Sequence, residues 1–432
     1  MAATGERVVL IGGGATSALA AVRLAERGWR VTVVEKAALG NGSSSRSNAG
    51  IRAQFGVEAT IVGMRYSEWW YSRFHELLHT PAERRQPVIQ QNGYLFLYED
   101  PAVAPAASAA QEAWRRAREY VALQRRAGLS VELLAQEEVH TRWPHIESAR
   151  LLGATFCATD GFLHPHVILG EGYRRARELG VEVLTATEVL GATRRGDRIE
   201  RLETSRGAIA ADWYVNATNA WAPRVSQRLG GMPLAIAPLK RYLYYLRPQR
   251  PIMSEDAWLG LPMTIYGLGA GRGALSRPDG PQLVLAWAHD TPPELNFSDA
   301  DQDRVDAAFH HDRGIENYGY ATLAQVADFA PALADAGGLV ATTSGFYGAT
   351  PDGDPLIGHD GERANLLHAA GFSGHGLMHA PITAVLIEAL LTGEVAGGRV
   401  RLPPPFAEHT IDLAAFDPAR DFASSQGEAM VL

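Results

Sequence analysis

The stretch Val8-Val-Leu-Ile-Gly-Gly-Gly-Ala-Thr-Ser17 decides the fold. It begins as a short apolar run, which is typical of a buried strand, and continues into three glycines that predict a tight turn. Helical spacing then extends from Ala15 to Gly28, and Val31–Val34 is predicted as a second buried strand that ends at Glu35. A strand, a glycine turn, a helix and a second strand in this order predict a Rossmann-like nucleotide-binding unit.

The glycine turn supplies the first candidate site. Gly12 and Gly14 fit a Gly-x-Gly-x-x-Gly pattern, in which Ser17 replaces the third glycine. Such a turn lets the backbone approach a pyrophosphate, which the free N–H groups and the dipole of the helix N-terminus then stabilise. Glu35, 21 residues after Gly14, is placed to bind ribose hydroxyls, which disfavours NADP. The alternative is a tight turn without a ligand. The residues predicted to contact the nucleotide here are Gly12, Gly14, Ala15, Thr16, Ser17, Glu35 and Lys36.

Composition narrows the class of protein. A chain of 432 residues predicts two or three domains. The net charge of −8 argues against a nucleic-acid partner, since no basic surface is available to neutralise phosphates. Cys157 is the only cysteine, so neither an intramolecular disulfide nor a cysteine-built metal site is possible, and we expect no bound metal. The apolar run 8–22 is too short and too interrupted by glycine to span a bilayer, so we expect a soluble, cytoplasmic protein.

Five segments, in the same order along the chain, resemble the D-amino-acid oxidase/sarcosine oxidase (DAO) family of FAD-dependent oxidoreductases. The glycine turn alone leaves NAD and FAD open, and this resemblance implies FAD. A further segment, Phe416–Phe422, resembles the branch that contains the sarcosine oxidase β-subunit and related amine dehydrogenases. The five segments are Gly42–Arg52, Thr187–Val189, Val215–Trp221, Thr350–Gly358 and Ala370–Pro381.

The resemblance implies an α/β fold in two parts. One is a Rossmann-like FAD-binding domain of the glutathione-reductase-like type, and the other is a substrate domain built on a mixed sheet. We expect the FAD-binding domain to be discontinuous and a C-terminal tail to follow it. The predicted ranges are 1–90, 145–235 and 340–400 for the FAD-binding domain, 90–145 and 235–340 for the substrate domain, and 401–432 for the tail.

The resemblance also implies further FAD contacts. Gly374 and Gly376 would let a flat ring lie against the backbone, and the helix that begins near Leu377 would direct its positive end at the negative charge of reduced flavin. The alternative is a glycine turn that only caps a core helix. Asn219 stands where the family usually has glycine. The implied contacts are Ser44, Ser45, Arg46, Asn48, Ala49, Gly50, Ile51, Val189, Ala217, Thr218, Trp221 (or a core tryptophan), Gly348, Gly374, His375, Gly376, Leu377 and Met378.

Covalent attachment of the flavin is not expected. Some family members link the cofactor to a cysteine or a histidine, and these positions correspond to Gly345 and Ser47 here. Cys157 lies in none of the flavin motifs. We therefore predict non-covalent FAD.

The family's substrate-side cations are replaced in this chain. A strand lysine that activates oxygen in some members corresponds to Val284, and two cations that hold a substrate carboxylate correspond to Met378 and Tyr347. Arg52 and Arg241 remain as carboxylate ligands, or as structural arginines. Tyr266 corresponds to a substrate-facing tyrosine, with a core tyrosine as the alternative, and His375 to a residue whose backbone matters more than its ring. The candidate catalytic residues are Arg52, Arg241, Tyr266, Tyr347 and His375.

These residues predict an FAD-dependent oxidoreductase that oxidises the C–N bond of a small amino acid or N-alkyl amino acid, with hydride transfer to the flavin. The electron acceptor would be oxygen, a quinone or a partner protein. Val284 favours a dehydrogenase, because only Lys36 and Lys240 are present as lysines in the whole chain. The alternative is an FAD-containing subunit or assembly factor of a larger complex, without turnover of its own.

Overall fold

The computed structural model describes residues 5–269, 273–287, 292–302, 304, 318–335 and 338–423. Its helices are α1 (Ala15–Glu26), α2 (Glu58–Ser72), α3 (Phe74–Leu77), α4 (Ala107–Arg126), α5 (Gln136–Arg142), α6 (Pro165–Glu178), α7 (Ala222–Leu229), α8 (Glu255–Leu259), α9 (Tyr318–Phe329) and α10 (Gly376–Thr392). None of these described helices is both long and apolar enough to cross a membrane.

The strands form five sheets. Their bounds are β1 (Arg7–Ile11), β2 (Arg30–Val34), β3 (Gly50–Ile51), β4 (Ile89–Gln90), β5 (Tyr94–Glu99), β6 (Val131–Leu134), β7 (Leu151–Cys157), β8 (Gly161–Leu163), β9 (Glu182–Leu184), β10 (Val189–Arg195), β11 (Arg198–Thr204), β12 (Gly207–Ile209), β13 (Trp213–Asn216), β14 (Ala237–Leu246), β15 (Met263–Tyr266), β16 (Ala274–Asp279), β17 (Gln282–Trp287), β18 (Leu339–Ala349), β19 (Leu356–His359), β20 (Leu366–Ala370), β21 (Arg399–Arg401) and β22 (Thr410–Asp412).

The predicted β1–α1–β2 unit is confirmed, and it lies at the centre of a six-stranded sheet. The strand order is β19-β20-β13-β1-β2-β9, and all neighbours are parallel except β19, which is antiparallel to β20. α1 packs between α6 and α10 on this sheet. α10 is apolar on every side and is buried from Leu377 to Leu391, as expected of a helix enclosed by others. The carboxyl ends of β1, β2 and β13 therefore meet at one edge of the sheet.

The second large sheet is mixed, as predicted for the substrate domain. Its eight strands follow the order β18-β14-β17-β16-β15-β5-β7-β6, and only β15 and β5 pair in parallel. One face packs against α5 and α9 through a cluster that includes Leu95, Leu285 and Phe329. The opposite face carries Phe96, Ile265 and Val284. This second face is the one that approaches the loop after β3, because a Cβ added at Gly50 would meet the Met263 sulfur at 3.0 Å.

Two strands do not follow the predicted domain ranges. β7 and β18 fall in segments assigned to the FAD-binding domain, yet both are hydrogen-bonded into the eight-stranded sheet. β18 pairs with β14 along most of its length, from Leu339↔Leu246 to Ala349↔Ala237. The predicted boundary at 340 therefore divides a continuous strand. The remaining boundaries stay a prediction.

Most of the segment predicted as a tail is packed against the body of the protein. β21 and β22 form a hairpin whose Val400 and Ile411 belong to the same core cluster as α1 and α10, and Phe416 joins them. Arg420 then makes two parallel hydrogen bonds to the Asp352 carboxylate, both of 2.7 Å, in a buried site. Residues 401–423 are thus a packed strap, while 424–432 lie outside the described residues.

We predict that Arg420→Ala lowers the free energy of unfolding by about 3 kcal/mol, because it leaves the Asp352 carboxylate buried without its cation. Chemical denaturation of the purified protein measures this change. Arg250→Ala is the matched control, since Arg250 pairs with Asp335 at an exposed site and its loss should leave the unfolding midpoint unchanged. Equal midpoints for Arg420→Ala and the unaltered protein would show that the strap is held by its apolar contacts alone.

Candidate functional site

A crevice of about 410 Å³ opens at the carboxyl edge of the six-stranded sheet. Its floor is formed by Ile11 of β1, Val34 of β2 and Ala217, which directly follows β13. The N-termini of α1 and α10 point into the crevice. β18 forms one wall of the crevice, so both large sheets contribute to it. An elongated ligand that extends from Glu35 to Gly376 would contact all of these elements.

The crevice brings together most of the residues predicted to bind the cofactor. Their contacts with FAD stay a prediction, but their convergence from distant parts of the sequence is a feature of the fold. The predicted residues that line the crevice are Gly12, Gly14, Ala15, Thr16, Glu35, Lys36, Ser44, Arg46, Val189, Ala217, Thr218, Trp221, Gly374, Gly376 and Leu377, together with Tyr347.

The remaining predicted residues do not line the crevice. Ser17 is buried within α1, and Asn48 is buried with its backbone oxygen accepting a hydrogen bond from Arg277 at 2.8 Å. Gly348 is packed so closely that a Cβ would lie 2.8 Å from the Asn219 side-chain oxygen. The predicted cofactor residues that do not line the crevice are Ser17, Ser45, Asn48, Ala49, Gly50, Ile51, Gly348, His375 and Met378.

The glycine turn fits a pyrophosphate for steric reasons. Gly12 has φ of +107°, and a Cβ there would lie 2.8 Å from the backbone oxygen of Ala217, so no other residue fits without a shift. Gly14 caps α1 without a side-chain hydrogen bond, and the Ala15 N–H is 3.2 Å from the Ser44 hydroxyl. Gly14 has no side chain to cap the other N–H groups of this helix end, and Ser44, which accepts from the Ala15 N–H, itself lines the crevice.

Glu35 is held at the end of β2 by two backbone hydrogen bonds. Its carboxylate oxygens accept from the Gly13 N–H at 2.6 Å and from the Ala37 N–H at 2.8 Å. A carboxylate fixed in this way at the crevice wall is available to accept hydrogen bonds from the hydroxyls of a ribose. Ribose binding by Glu35 stays a prediction, and the geometry gives Gly13 a role that the glycine pattern did not include, since its N–H holds the carboxylate.

Asn219 stands where the family usually has glycine, and its conformation and contacts show how the fold accommodates it. Its φ is +47°, in the left-handed region that asparagine adopts more readily than most residues. Its side-chain oxygen accepts hydrogen bonds from the backbone N–H groups of Gly371 and Phe372, both at 3.2 Å. The substitution therefore preserves the backbone turn and adds a brace to the glycine-rich loop before α10.

A segment of the substrate domain closes one side of the crevice, and the sequence did not reveal it. Phe297 is buried, with its ring centroid 4.3 Å from that of Phe346 and 5.0 Å from that of Trp221. Asp299 accepts a hydrogen bond from the Trp221 indole at 3.1 Å and pairs with Lys36. Because these partners are distant in sequence, no local pattern could have predicted that residues 297–302 face the cofactor pocket.

Arg52 lies in a buried site beside the second face of the mixed sheet. Its guanidinium is 3.9 Å from the Phe55 ring centroid and 5.8 Å from that of Tyr94, and it donates to the backbone oxygen of Gln54. Burial raises the pKa of Tyr94 to about 12, and Arg52 opposes this shift through its charge and a hydrogen bond. The Tyr94 hydroxyl is therefore neutral and oriented by Arg52.

Arg241 and Tyr347 form a second pair on the same face. The Arg241 guanidinium is 5.6 Å from the Tyr347 ring centroid, and burial raises the pKa of Tyr347 while the Arg241 charge lowers it. Tyr347 packs on the glycine loop, since a Cβ at Gly374 would lie 2.5 Å from its ring. Arg52 packs on Phe55, whose ring centroid is 5.2 Å from that of His375, and Tyr347 packs on the neighbouring Gly374, so the two arginine–tyrosine pairs converge near the α10 end of the crevice.

The prediction for Tyr266 is wrong about its direction. Successive residues of a strand point to opposite faces, and Ile265 belongs to the face that carries Val284, whereas Tyr266 belongs to the cluster under α9. Its hydroxyl is 2.8 Å from that of Ser276, and its ring packs against Phe329. Tyr266 is a core tyrosine, remote from the arginine–tyrosine pairs.

The histidines near the site are neutral. Burial lowers the pKa of His375 well below its usual range, and the charge of Arg52 adds to this effect. Burial also lowers the pKa of His379 to about 4. The His375 ring packs edge-on against Phe55 at 5.2 Å, and its backbone N–H bonds to Phe372 at the start of α10. His375 therefore serves the local geometry and does not supply a positive charge near neutral pH.

We predict that Phe297→Ala speeds the release of FAD by about 30- to 150-fold, because it removes a buried aromatic ring, with about 2–3 kcal/mol of apolar contact, from the side of the crevice. Leu295→Ala is the matched control in the same segment, since that side chain is 66 % exposed. Fluorescence of the released flavin after dilution gives both rates.

The wild-type protein should lose all its flavin to the supernatant on heating, whereas flavin retained by the denatured chain would indicate covalent attachment.

Comparisons with known proteins agree with this geometry. The family model described as DAO, FAD dependent oxidoreductase, matches residues 7–390. Glycine oxidase from Geobacillus kaustophilus (strain HTA426) is 26% identical over 386 residues, covering 89% of this chain and 92% of the relative. Monomeric sarcosine oxidase from Bacillus sp. (strain B-0618) is 24% identical over 409 residues, covering 90% and 92%.

A solved structure extends the similarity to three dimensions. The crystal structure of L-proline dehydrogenase from P. horikoshii superposes with a TM-score of 0.77 at 26% identity, and the match covers 96% of this chain and 97% of that one. The nucleotide turn, the glycine loop before α10 and the mixed sheet fall within the family match, which spans most of the chain. The chain belongs to the DAO family of FAD-dependent oxidoreductases, and FAD is its cofactor.

Proposed function

We propose that this enzyme oxidises the C–N bond of a small amino acid or N-alkyl amino acid, binding it by its carboxylate. The observation that carries the proposal is the convergence of Arg52 and Arg241, each with a tyrosine, beside the α10 end of the FAD crevice. A guanidinium is suited to a carboxylate because it donates two parallel hydrogen bonds. The relatives named above act on glycine, sarcosine and L-proline, all of which carry a carboxylate next to an amine.

When bound, FAD supplies the acceptor for the hydride that leaves the carbon next to the substrate nitrogen. The protein's part is to hold that carbon in place. Arg52 or Arg241 would anchor the carboxylate, and the neutral hydroxyls of Tyr94 and Tyr347 would orient it by hydrogen bonds. No protein base is required if the amine enters without its extra proton, and neutral His375 is consistent with this because it adds no charge to the site.

The apolar surroundings strengthen these interactions. Tyr94, Phe96 and Val284 lie on the same face of the mixed sheet and are buried. Because water is scarce in such a site, the attraction between a guanidinium and a carboxylate is stronger than it is at the protein surface. The same environment favours the uncharged form of the substrate amine, which is the form that can lose a hydride.

We further propose that the enzyme is a dehydrogenase. A cation beside the flavin speeds electron transfer to oxygen, because it stabilises the negative charge that develops on the oxygen molecule, and we assign Arg52 and Arg241 to the substrate carboxylate, which leaves the lysines to be considered. Val284 lies in an apolar cluster with Leu243 and Leu275. Lys240 lies three residues before Leu243 on β14, so the two side chains point to opposite faces, and the Lys240 ammonium is 5.8 Å from the Phe346 ring centroid. Lys36 pairs with Asp299 at the ribose end of the crevice. Neither lysine therefore lies on the sheet face that carries Val284.

We predict that Arg52→Ala weakens substrate binding by about 2–5 kcal/mol, because a desolvated carboxylate loses its charge partner. An anaerobic screen of amino acids and N-methyl amino acids, followed by flavin bleaching, identifies the substrate, and titration of each variant then gives its affinity. Arg241→Ala tests the second guanidinium, and Arg250→Ala, at an exposed ion pair, is the control. Wild-type affinity in both Arg52→Ala and Arg241→Ala would contradict the carboxylate assignment.

We predict slow reoxidation of the photoreduced enzyme in air-saturated buffer, followed by stopped-flow absorbance. Val284→Lys should accelerate it by placing a cation on the substrate-side face of the sheet, while Val284→Met, of similar length but uncharged, should not. Rapid reoxidation of the unaltered protein would overturn the dehydrogenase proposal and make Arg52 or Arg241 the candidate cation.

A further inference from the structure

Two buried carboxyl groups behind Arg52 have no place in the function described so far. Asp160 lies in the turn between β7 and β8 and is fully buried, and Glu68 lies on α2 with 6 % of its surface exposed. Neither belongs to an ion pair in the part of the chain that the structure describes. Burial of two acids is costly, so their contacts indicate what they do.

Asp160 holds the chain immediately after Arg52. One carboxylate oxygen accepts the backbone N–H of Ala53 at 3.0 Å, and the other accepts the side-chain amide of Gln54 at 2.9 Å. The strand that ends just before Arg52 is paired with the strand that begins just after Asp160, through Ile51↔Gly161. Asp160 is therefore fixed by the sheet, and it fixes residues 53 and 54.

Gln54 connects this anchor to both partners of the substrate site. Its side-chain amide donates to the Tyr94 backbone oxygen at 3.0 Å as well as to Asp160. Its own backbone oxygen accepts a hydrogen bond from the Arg52 guanidinium. Through Gln54, the Asp160 carboxylate thus fixes both the direction of the Arg52 side chain and the position of Tyr94.

Glu68 is a second acid close to Asp160. Burial and the adjacent Asp160 carboxylate raise the pKa of Glu68 well above its usual range, so Glu68 keeps its proton. Burial raises the pKa of Asp160 as well, but the hydrogen bonds from Ala53 and Gln54 and the charge of Arg52 lower it, so the single negative charge of the pair lies on Asp160.

We propose that Asp160 is a positioning residue that holds Arg52 in the orientation needed to bind the substrate carboxylate. This inference rests on the proposed function, since it takes Arg52 as a carboxylate ligand. A charge effect alone makes the opposite prediction: the negative charge of Asp160 repels a substrate carboxylate, so its removal would strengthen binding. If Asp160 acts by positioning, any substitution that breaks the hydrogen-bond connection Asp160–Gln54–Arg52 weakens binding of the carboxylate, whether or not it changes the net charge of the site.

The experiment measures binding of benzoate, a carboxylate that carries no amine to oxidise, to the FAD-loaded enzyme by flavin difference spectra. Benzamide, which has the same shape without the charge, is the ligand control. Asp160→Asn replaces one carboxylate oxygen, a hydrogen-bond acceptor, with an NH2 group, which is a donor. One of the two hydrogen bonds that Asp160 accepts, from the Ala53 N–H and the Gln54 amide, then becomes a contact between two donors. Gln54→Met removes the side-chain link without changing the charge, so it separates positioning from charge.

We expect Asp160→Asn to weaken benzoate binding by at least about tenfold and Gln54→Met by about threefold, since small displacements of a binding group are costly. Benzamide and FAD affinities should stay within about twofold. Arg250→Ala, at an exposed ion pair away from the site, is the protein control, and it should bind benzoate normally. In an Arg52→Ala background, Asp160→Asn should have no further effect on benzoate.

The outcomes distinguish the two proposals. Loss of benzoate affinity in Arg52→Ala, together with normal affinity in both Asp160→Asn and Gln54→Met, overturns the positioning role but keeps Arg52 as a ligand. Tighter benzoate binding in Asp160→Asn with no change in Gln54→Met also overturns it, in favour of a pure charge effect. Unchanged affinity in Arg52→Ala, or no benzoate binding by the unaltered enzyme, overturns the proposed carboxylate site and the inference with it. If Asp160→Asn does not fold, Gln54→Met decides alone.

Discussion

The structure depends on the close approach of the β1–α1 turn to the end of β13. At Gly12 the backbone passes so near the Ala217 carbonyl that a side chain would collide with it, and this contact sets the distance between the first nucleotide-binding turn and the strand that carries Thr218. The crevice floor, the direction of the α1 N-terminus and the path to Asn219 all follow from it. A larger residue at Gly12 would separate strands at the centre of the sheet and would therefore disturb every wall of the cofactor pocket.

Local patterns predicted the parts of the fold that short segments determine. The β1–α1–β2 unit, the glycine loop before α10 and the start of α10 were all readable from spacing and turn residues, because neighbours in sequence form them. Contacts between distant segments were not readable. The packing of Phe297 on Trp221 joins residues far apart in the chain, and the direction of Tyr266 depends on which face of its strand meets α9. Strand alternation alone gives two faces and does not say which one meets the substrate.

Under the proposed function, the protein would place the substrate carboxylate with few charges. Two guanidinium groups and one buried carboxylate lie among aromatic rings, while the neighbouring histidines and Glu68 stay neutral. The formal charge contributed by Arg52, Arg241 and Asp160 is therefore +1, which a single carboxylate would balance. A sequence shows the arginines but not the protonation of the acids near them, since that protonation results from burial in the finished fold.

The strand order of the six-stranded sheet has a consequence for how the protein is made. β1 and β2 leave the ribosome well before β13, which pairs with β1, and longer still before β20, which pairs with β13. The glycine loop and the first turn of α10 complete the pocket only after residue 377 has been synthesised. The nascent chain consequently cannot acquire its full affinity for the flavin until the first turn of α10 has been synthesised, so loading of the cofactor depends on contacts between segments far apart in the sequence.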